Sequence, residues 1–322
     1  MLNRRTFIAG LPLAALAAPS IARAAEPVIF WGPPATPSVI LAQAIDSGLL
    51  KPIVPEATFK VWKTPDEMRA GISSGSMAAT VVPTYVAANL HNRGIGLRLV
   101  NVLTDGLLFV VAPAGTVNGI AGLKGKRIAV PFRNDMPDYI FRRLLAAADM
   151  KASDLTIEYS GTPLEAVQML MMGRVDAALL SEPASSAVIA KASTFWKNLE
   201  RAVDCQKAWP SVAGTTTIAQ AGLAITDRFA AEIGASGVTA LHAALEQALQ
   251  AVIKNPAAAA SASAAALDLP AAMVEKSIPF SRLVVRTASA ARADLTSLFD
   301  LLAKDDPRII GGKQPDDRFY AL

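Results

Sequence analysis

Short apolar runs alternate with stretches of helical periodicity along most of this chain. VIFWG (28–32) reads as a strand, and TPSVILAQAIDSGLL (36–50) as a helix that Thr36 or Ser38 can cap. ATFKVWK (57–63) is a strand. PDEMRAGISSG (65–75) is a helix with Pro65 at its start, acids in its first turn and Gly75 at its end. AATVV (78–82), TYVAANLHNRG (84–94) and LRLVNVL (97–103) continue as strand, helix and strand. This alternation predicts a mostly parallel sheet with helices on both faces.

DGLLFVVAPAGTVNGIAGLKGKRIAVPF (105–132) breaks the rhythm with two apolar strands around a Gly-rich, basic connection. A second alternating block follows, with strands at 127–132, 155–160 and 175–181 and helices at 135–150, 163–173 and 183–193. After Trp209-Pro210 comes TTTIAQAGLAIT (215–226), read as a strand. The remainder is mainly helical, including the Ala-rich 256–270, where the best helix former outweighs a linker reading. The expected architecture is two α/β lobes, the second inserted into the first, joined by extended crossovers near 107–116 and 210–220.

The N-terminus changes the accounting. MLNRRTFIAGLPLAALAAPSIARAAEP has a basic start, an apolar stretch at 8–18 and Ala22-Arg23-Ala24, an A-x-A cleavage pattern. Arg4-Arg5-Thr6-Phe7-Ile8 is similar to a twin-arginine export signal. Residues 1–24 are therefore assigned to a signal peptide, and the mature chain to the periplasm. No later apolar run reaches the ~18 residues of a membrane span. The whole chain carries a formal charge of +4, but without residues 1–24 it has 28 basic against 27 acidic residues. Neither nucleic acid nor an anionic membrane is implied. Cys205 is alone, and His91 and His242 are the two histidines, far apart in sequence. That excludes an internal disulfide and leaves no metal-ligand spacing.

Four pieces carry a resemblance. They are PDEMRAGISSGSMAAT (65–80), GLKGKRIAVP (122–131), GTPLEAVQMLMMGRVDAALLSEP (161–183) and residues 224–256, ending at an Asn-Pro. In this order and spacing they resemble the substrate-binding proteins of ABC importers, of the nitrate, sulfonate, taurine and thiamine-precursor type. The resemblance spans nearly all of the mature chain. It implies a type II, two-lobed periplasmic binding protein, with 25–110 and 216–322 as one lobe and 111–215 as the other. It implies a small-molecule ligand, a membrane permease with its ATPase as partners, a monomer, no cofactor and no catalysis. A receptor that signals to a membrane sensor has the same sequence features. A pyrimidine-precursor synthase of the same architecture would need an iron site with a Cys-rich motif, which a single Cys does not supply.

Ligands of open α/β sheets bind beyond the carboxyl ends of strands. In the first lobe this selects Trp31, Pro34, Ser38, Pro83, Thr84 and Asp105; in the second, Phe132, Arg133, Asn134, Asp135, Gly161, Thr162, Ser181 and Glu182. Helix starts near Ser38, Thr84 and Asn134 would present free N–H groups. Ser181, Thr162 and Asn134 serve equally well as caps, Trp31 as core, Arg133 as a solvated charge and Glu182 in an internal ion pair. Relatives often have Trp where Ser181 stands and Gly-Ser where FRNDMPD (132–138) stands. Mixed charges with Trp31, Phe132, Tyr139 and Trp209 suit a zwitterion or polar heterocycle as well as a simple anion. Gly71-Ile72-Ser73-Ser74-Gly75 matches G-x-S-x-G literally. It ends a helix and precedes a strand, the reverse of a nucleophile elbow.

Overall fold

The computed structural model describes residues 27–195, 198–213 and 217–322. The signal segment assigned to residues 1–24 lies outside these. In chain order the strands are β1 (Val28–Gly32), β2 (Ala57–Val61), β3 (Ala79–Pro83), β4 (Leu97–Thr104), β5 (Leu108–Pro113), β6 (Arg127–Pro131), β7 (Thr156–Ser160), β8 (Ala177–Ser181), β9 (Leu199–Asp204), β10 (Ala221–Thr226) and β11 (Leu283–Thr287). The helices are α1 (Pro37–Asp46), α2 (Pro65–Ser74), α3 (Thr84–Asn92), α4 (Met136–Ala147), α5 (Pro163–Met171), α6 (Ala184–Ser193), α7 (Cys205–Ala208), α8 (Pro210–Ala213), α9 (Asp227–Lys254), α10 (Pro256–Leu267), α11 (Ala271–Ser277) and α12 (Arg292–Asp305).

Two sheets result. One has six strands in the order β11-β4-β10-β3-β1-β2, the other five in the order β7-β6-β8-β5-β9. β1 pairs in parallel with β2 and β3, and β6 with β7 and β8. Each sheet also receives one strand that runs against its central neighbours. β5, just past the first crossover, lies antiparallel between β8 and β9; β10, just past the second, lies antiparallel between β3 and β4. The sheets are thus mixed; the reversed strand inside each arrives from the other half, and β11 also runs antiparallel to β4 at the edge of the six-stranded sheet.

Local chemistry explains most helix starts. Thr64, Asp135, Thr162 and Thr226 each accept a backbone N–H of the helix they precede, and Pro65 and Pro163 occupy first-turn positions where no N–H is needed. The Ala-rich stretch is the helix α10, capped by Asn255 and ended by Asp268 in the left-handed region (φ 55°). The predicted cap of α1 is different: the Ser38 hydroxyl donates to Pro33 O (2.8 Å), and Thr36 Oγ1 meets Ser277 Oγ (3.1 Å). Gly234 (φ 69°) bends α9 near its start.

Two strands escape the sequence pattern. β9 (LERAVD) and β11 (LVVRT) are edge strands with little fully buried surface. Their charged residues break the alternation that marks a half-buried strand. Trp209, one of the aromatic candidates, is fully buried in the main core.

Candidate functional site

The carboxyl ends of β1, β3, β6 and β8 converge on a cavity of about 110 Å³. The six-stranded half contributes Pro33, Ala35 and Pro37 after β1, Trp62, Pro65 and Met68 after β2, and Val82 and Pro83 from β3. The five-stranded half contributes Phe132, Asp135, Met136 and Pro137 after β6, and Ser181 from β8. Leu107 and Gln220, from the two crossovers, and Ala221, the first residue of β10, close the back. The wall is apolar apart from Ser181, Gln220 and Asp135. Of the residues chosen from strand ends, Pro83, Phe132, Asp135 and Ser181 meet here.

The others are placed elsewhere, each for a visible reason. Trp31 is half-buried against the core with Lys60 Nζ 5.9 Å from its ring centre. Pro34 is exposed beside two prolines that do line the cavity. Buried Thr84 donates its hydroxyl to Ala219 O (2.6 Å), tying the start of α3 to the return crossover. Asp105 accepts from Arg286 (2.6 Å); burial raises its carboxyl pKa, with Arg286 pulling the other way. Exposed Arg133 stacks over the Tyr159 ring at 5.1 Å. Thr162 caps α5, and Gly161 donates its N–H to Glu165 (2.7 Å).

Glu182 requires the clearest correction. It was expected to face the cleft, but it is fully buried and turned into its own half. Arg201 on β9 donates to Glu182 Oε1 through Nε (2.9 Å) and Nη2 (2.6 Å), and Ser186 N–H donates to Oε2 (3.1 Å). Arg201 itself stacks on Phe280, 3.5 Å from the ring centre, with the Phe109 ring centre 5.2 Å away. Burial raises the Glu182 pKa against the opposing pull of Arg201. The Glu182–Pro183 peptide bond is cis.

The turn after β6 behaves in the opposite way. Phe132 and Asn134 both have φ 58°, a left-handed conformation that Asn tolerates and that costs a bulky residue of order 1–3 kcal/mol. This turn brings Asp135 to the cap of α4, where Oδ1 accepts Met136 N–H (2.7 Å). Its Oδ2 accepts from Arg69 of α2, in the other half, at 3.1 Å. Arg69 also donates to the Tyr85 hydroxyl (2.7 Å), and Tyr85 meets Tyr139 edge-on with ring centres 5.6 Å apart. Burial raises the Tyr85 pKa well above its ordinary value, so its hydroxyl stays protonated.

The Arg69–Asp135 pair is a partition. Asp135 lines the apolar cavity; Arg69 lines a second cavity of about 460 Å³ on its other side. Asn134, one of the residues chosen from strand ends, lines this outer cavity. Ser73 of the G-x-S-x-G match also lies on it, late in α2 with β3 following, which is the order that does not build a nucleophile elbow.

Sequence reasoning missed Trp62, Met68, Met136 and Gln220. The strand-end rule applied to β2 reaches Trp62 and Pro65. Gln220 has a subtler signal: β10 runs antiparallel, so its beginning, not its end, lies on the rim.

The family described as NMT1/THI5 like matches residues 76–259, more than half of the chain. No curated protein matches. Among solved structures, the chain is similar to an ABC transporter protein from Parabacteroides distasonis (23% identity, TM-score 0.74, covering 91% of this chain and 98% of that one). It is similar to the periplasmic aliphatic sulphonate binding protein SsuA from Escherichia coli (17%, TM-score 0.70, 92% of each chain). It is also similar to the periplasmic nitrate-binding protein NrtA from Synechocystis PCC 6803 (13%, TM-score 0.59, 76% and 68%). Likeness at these identities speaks for the fold: the type II periplasmic binding protein architecture.

Proposed function

This chain belongs to the NMT1/THI5-like family, and we propose that it is the extracytoplasmic ligand-binding component of an ABC importer. It captures a small organic molecule between its two halves and hands it to a membrane permease, without covalent chemistry. The observation that carries this reading is the 110 Å³ cavity at facing strand ends, walled by both halves and backed by both crossovers. Two extended connections make a hinge, and a ligand held by both walls favours the shut form by its differential affinity. The aliphatic sulphonate and nitrate binding proteins that share the fold support the same class of role.

The wall narrows the ligand. Trp62, Met68, Val82, Leu107, Phe132 and Met136 offer apolar surface, while Ser181 and Gln220 offer uncharged hydrogen-bonding groups. The charged residue on the wall is Asp135, an anion already bonded to Arg69. A bare inorganic anion such as nitrate would lose its hydration there without gaining a cation. The ligand therefore has an apolar or aromatic body and a small polar head.

Thermal unfolding of the ligand-stripped protein tests this against alkyl sulfonates, taurine, nitrate, bicarbonate, aromatic carboxylates, pyrimidines and flavins. A ligand at ~100 times its dissociation constant stabilises by about 2.7 kcal/mol. An organic probe should shift the transition and compact the protein in small-angle scattering, whereas nitrate should do neither. A shift by nitrate alone would overturn the ligand class, and neither shift nor compaction with any probe would count against the receptor role. We further propose export through residues 1–24. Arg4→Lys with Arg5→Lys should leave the precursor in the cytoplasm on fractionation, and unimpaired export would refute the twin-arginine route.

A further inference from the structure

Apart from Asn134, the outer cavity is lined by none of the residues chosen from strand ends. It lies beside the partition, in a trough between α2 and α3 that is closed by the start of α4 and by residues 306–309. At about 460 Å³ it falls within the ~300–1,000 Å³ of small-molecule sites. Its character is the reverse of the inner cavity's. Three guanidinium side chains line it, from Arg69, Arg93 and Arg308, together with Ser73, Asn89, Tyr85, Asn134 and Tyr139.

The charges are not balanced. Asp306 is the acid on this wall, and it is bonded to Arg308 at 2.7 Å. Arg69 is matched by Asp135 behind it. Arg93 is exposed and has no ion-pair partner among the described residues. The turn carrying Arg308 is held in place, because the Asn89 amide donates to Arg308 O (2.7 Å) and Ile309 O (3.0 Å).

We propose that this outer cavity is a second ligand site, for a small free dianionic oxyanion of the phosphate or dicarboxylate kind, a class that leaves out singly charged nitrate. Guanidinium groups bind such anions by paired, charge-assisted hydrogen bonds. Arg93 supplies the unmatched charge, Arg308 and Arg69 flank it, and Asn134 and Tyr139 add polar groups from the opposite half. Because its walls come from both halves, an anion here stabilises their shut arrangement. The site is distinct from the apolar cavity, and its test needs no ligand there.

The test uses the purified chain with inorganic phosphate as the probe and sodium chloride of equal ionic strength as the control. Phosphate should raise the unfolding temperature saturably and give a binding isotherm by calorimetry, whereas chloride should give neither. Arg93→Ala combined with Arg308→Ala should weaken the phosphate isotherm by about tenfold or more, with the probe-free unfolding temperature nearly unchanged, because both side chains are exposed. A phosphate effect no larger than chloride's would overturn the proposal. So would an isotherm unchanged in the double variant, which would place phosphate elsewhere.

Discussion

The turns after β6 and β8 stand on the same rim of the five-stranded sheet, and each brings one carboxylate to a helix start. The turn after β8 sends Glu182 inward to Arg201 of its own half, where it is fully buried. The turn after β6 sends Asp135 outward, across the gap, to Arg69 of the other half. The difference lies in which arginine the fold brings near, because both turns follow apolar strands and precede helices. A carboxylate paired within its half supports the fold; one paired across the gap can report whether the gap is shut.

The largest effect should come from breaking the inward pair. Glu182→Ala leaves the largely buried Arg201 without its anion, and removing one partner of a buried pair costs about 3–5 kcal/mol. Urea denaturation should show that loss, with any fall in ligand affinity following from it. Asp135→Ala should cost less, about 1 kcal/mol for the lost cap of α4, since Arg69 is a third exposed and can turn to water. Its distinctive consequence should be in scattering, where the ligand-free protein opens. Equal stability losses in the two variants would break the contrast.

A third change asks whether the rim's uncharged groups read the ligand. Gln220→Ala removes an amide from the back of the apolar cavity while leaving both carboxylates in place. Its carbonyl accepts the Leu107 N–H over a long 3.4 Å, so little stability is at stake. For whichever organic probe shifts the native protein, affinity should fall by about one to two decades, the range for a lost hydrogen bond in a closed site. Unaltered affinity would remove Gln220 from the contact set.

Much of this was legible in advance. The central strands among β1 to β8 show in the apolar pattern because both of their faces are covered, which leaves a continuous run; the edge strand β2 shows instead by its alternation of half-buried and exposed positions. The rim rule found Pro83, Phe132, Asp135 and Ser181 because strand ends mark where chains leave the sheets. What stayed hidden was partnership across long separations. Arg201 lies on β9, whose charged residues break the alternation of a strand, so LSEP (180–183) left the internal ion pair of Glu182 as one alternative and could not name its partner. Arg69, Arg93 and Arg308 lie on α2, just past α3 and near the C-terminus; only the packing of those elements brings them to one cavity. Gln220 escaped because a strand-end rule assumes parallel strands, and β10 runs the other way.

The smallest expected effect sharpens the contrast through pH. Burial raises the Glu182 carboxyl above its ordinary 4.5, more strongly than Arg201 and the Ser186 N–H lower it. A carboxyl raised in the fold keeps its proton longer in the native state than in the unfolded chain. The stability it supplies is complete below about pH 4.5 and is lost as pH rises through the folded value. Glu182→Gln carries no titrating group at this position and stays neutral throughout. The stability advantage of the native protein over this variant should therefore shrink as pH rises from about 4 to 7, measured by denaturation at each pH. If the advantage grows instead, Arg201 outweighs burial and holds the carboxyl below 4.5. The inward turn would then be an ion pair that strengthens the fold most at neutral pH.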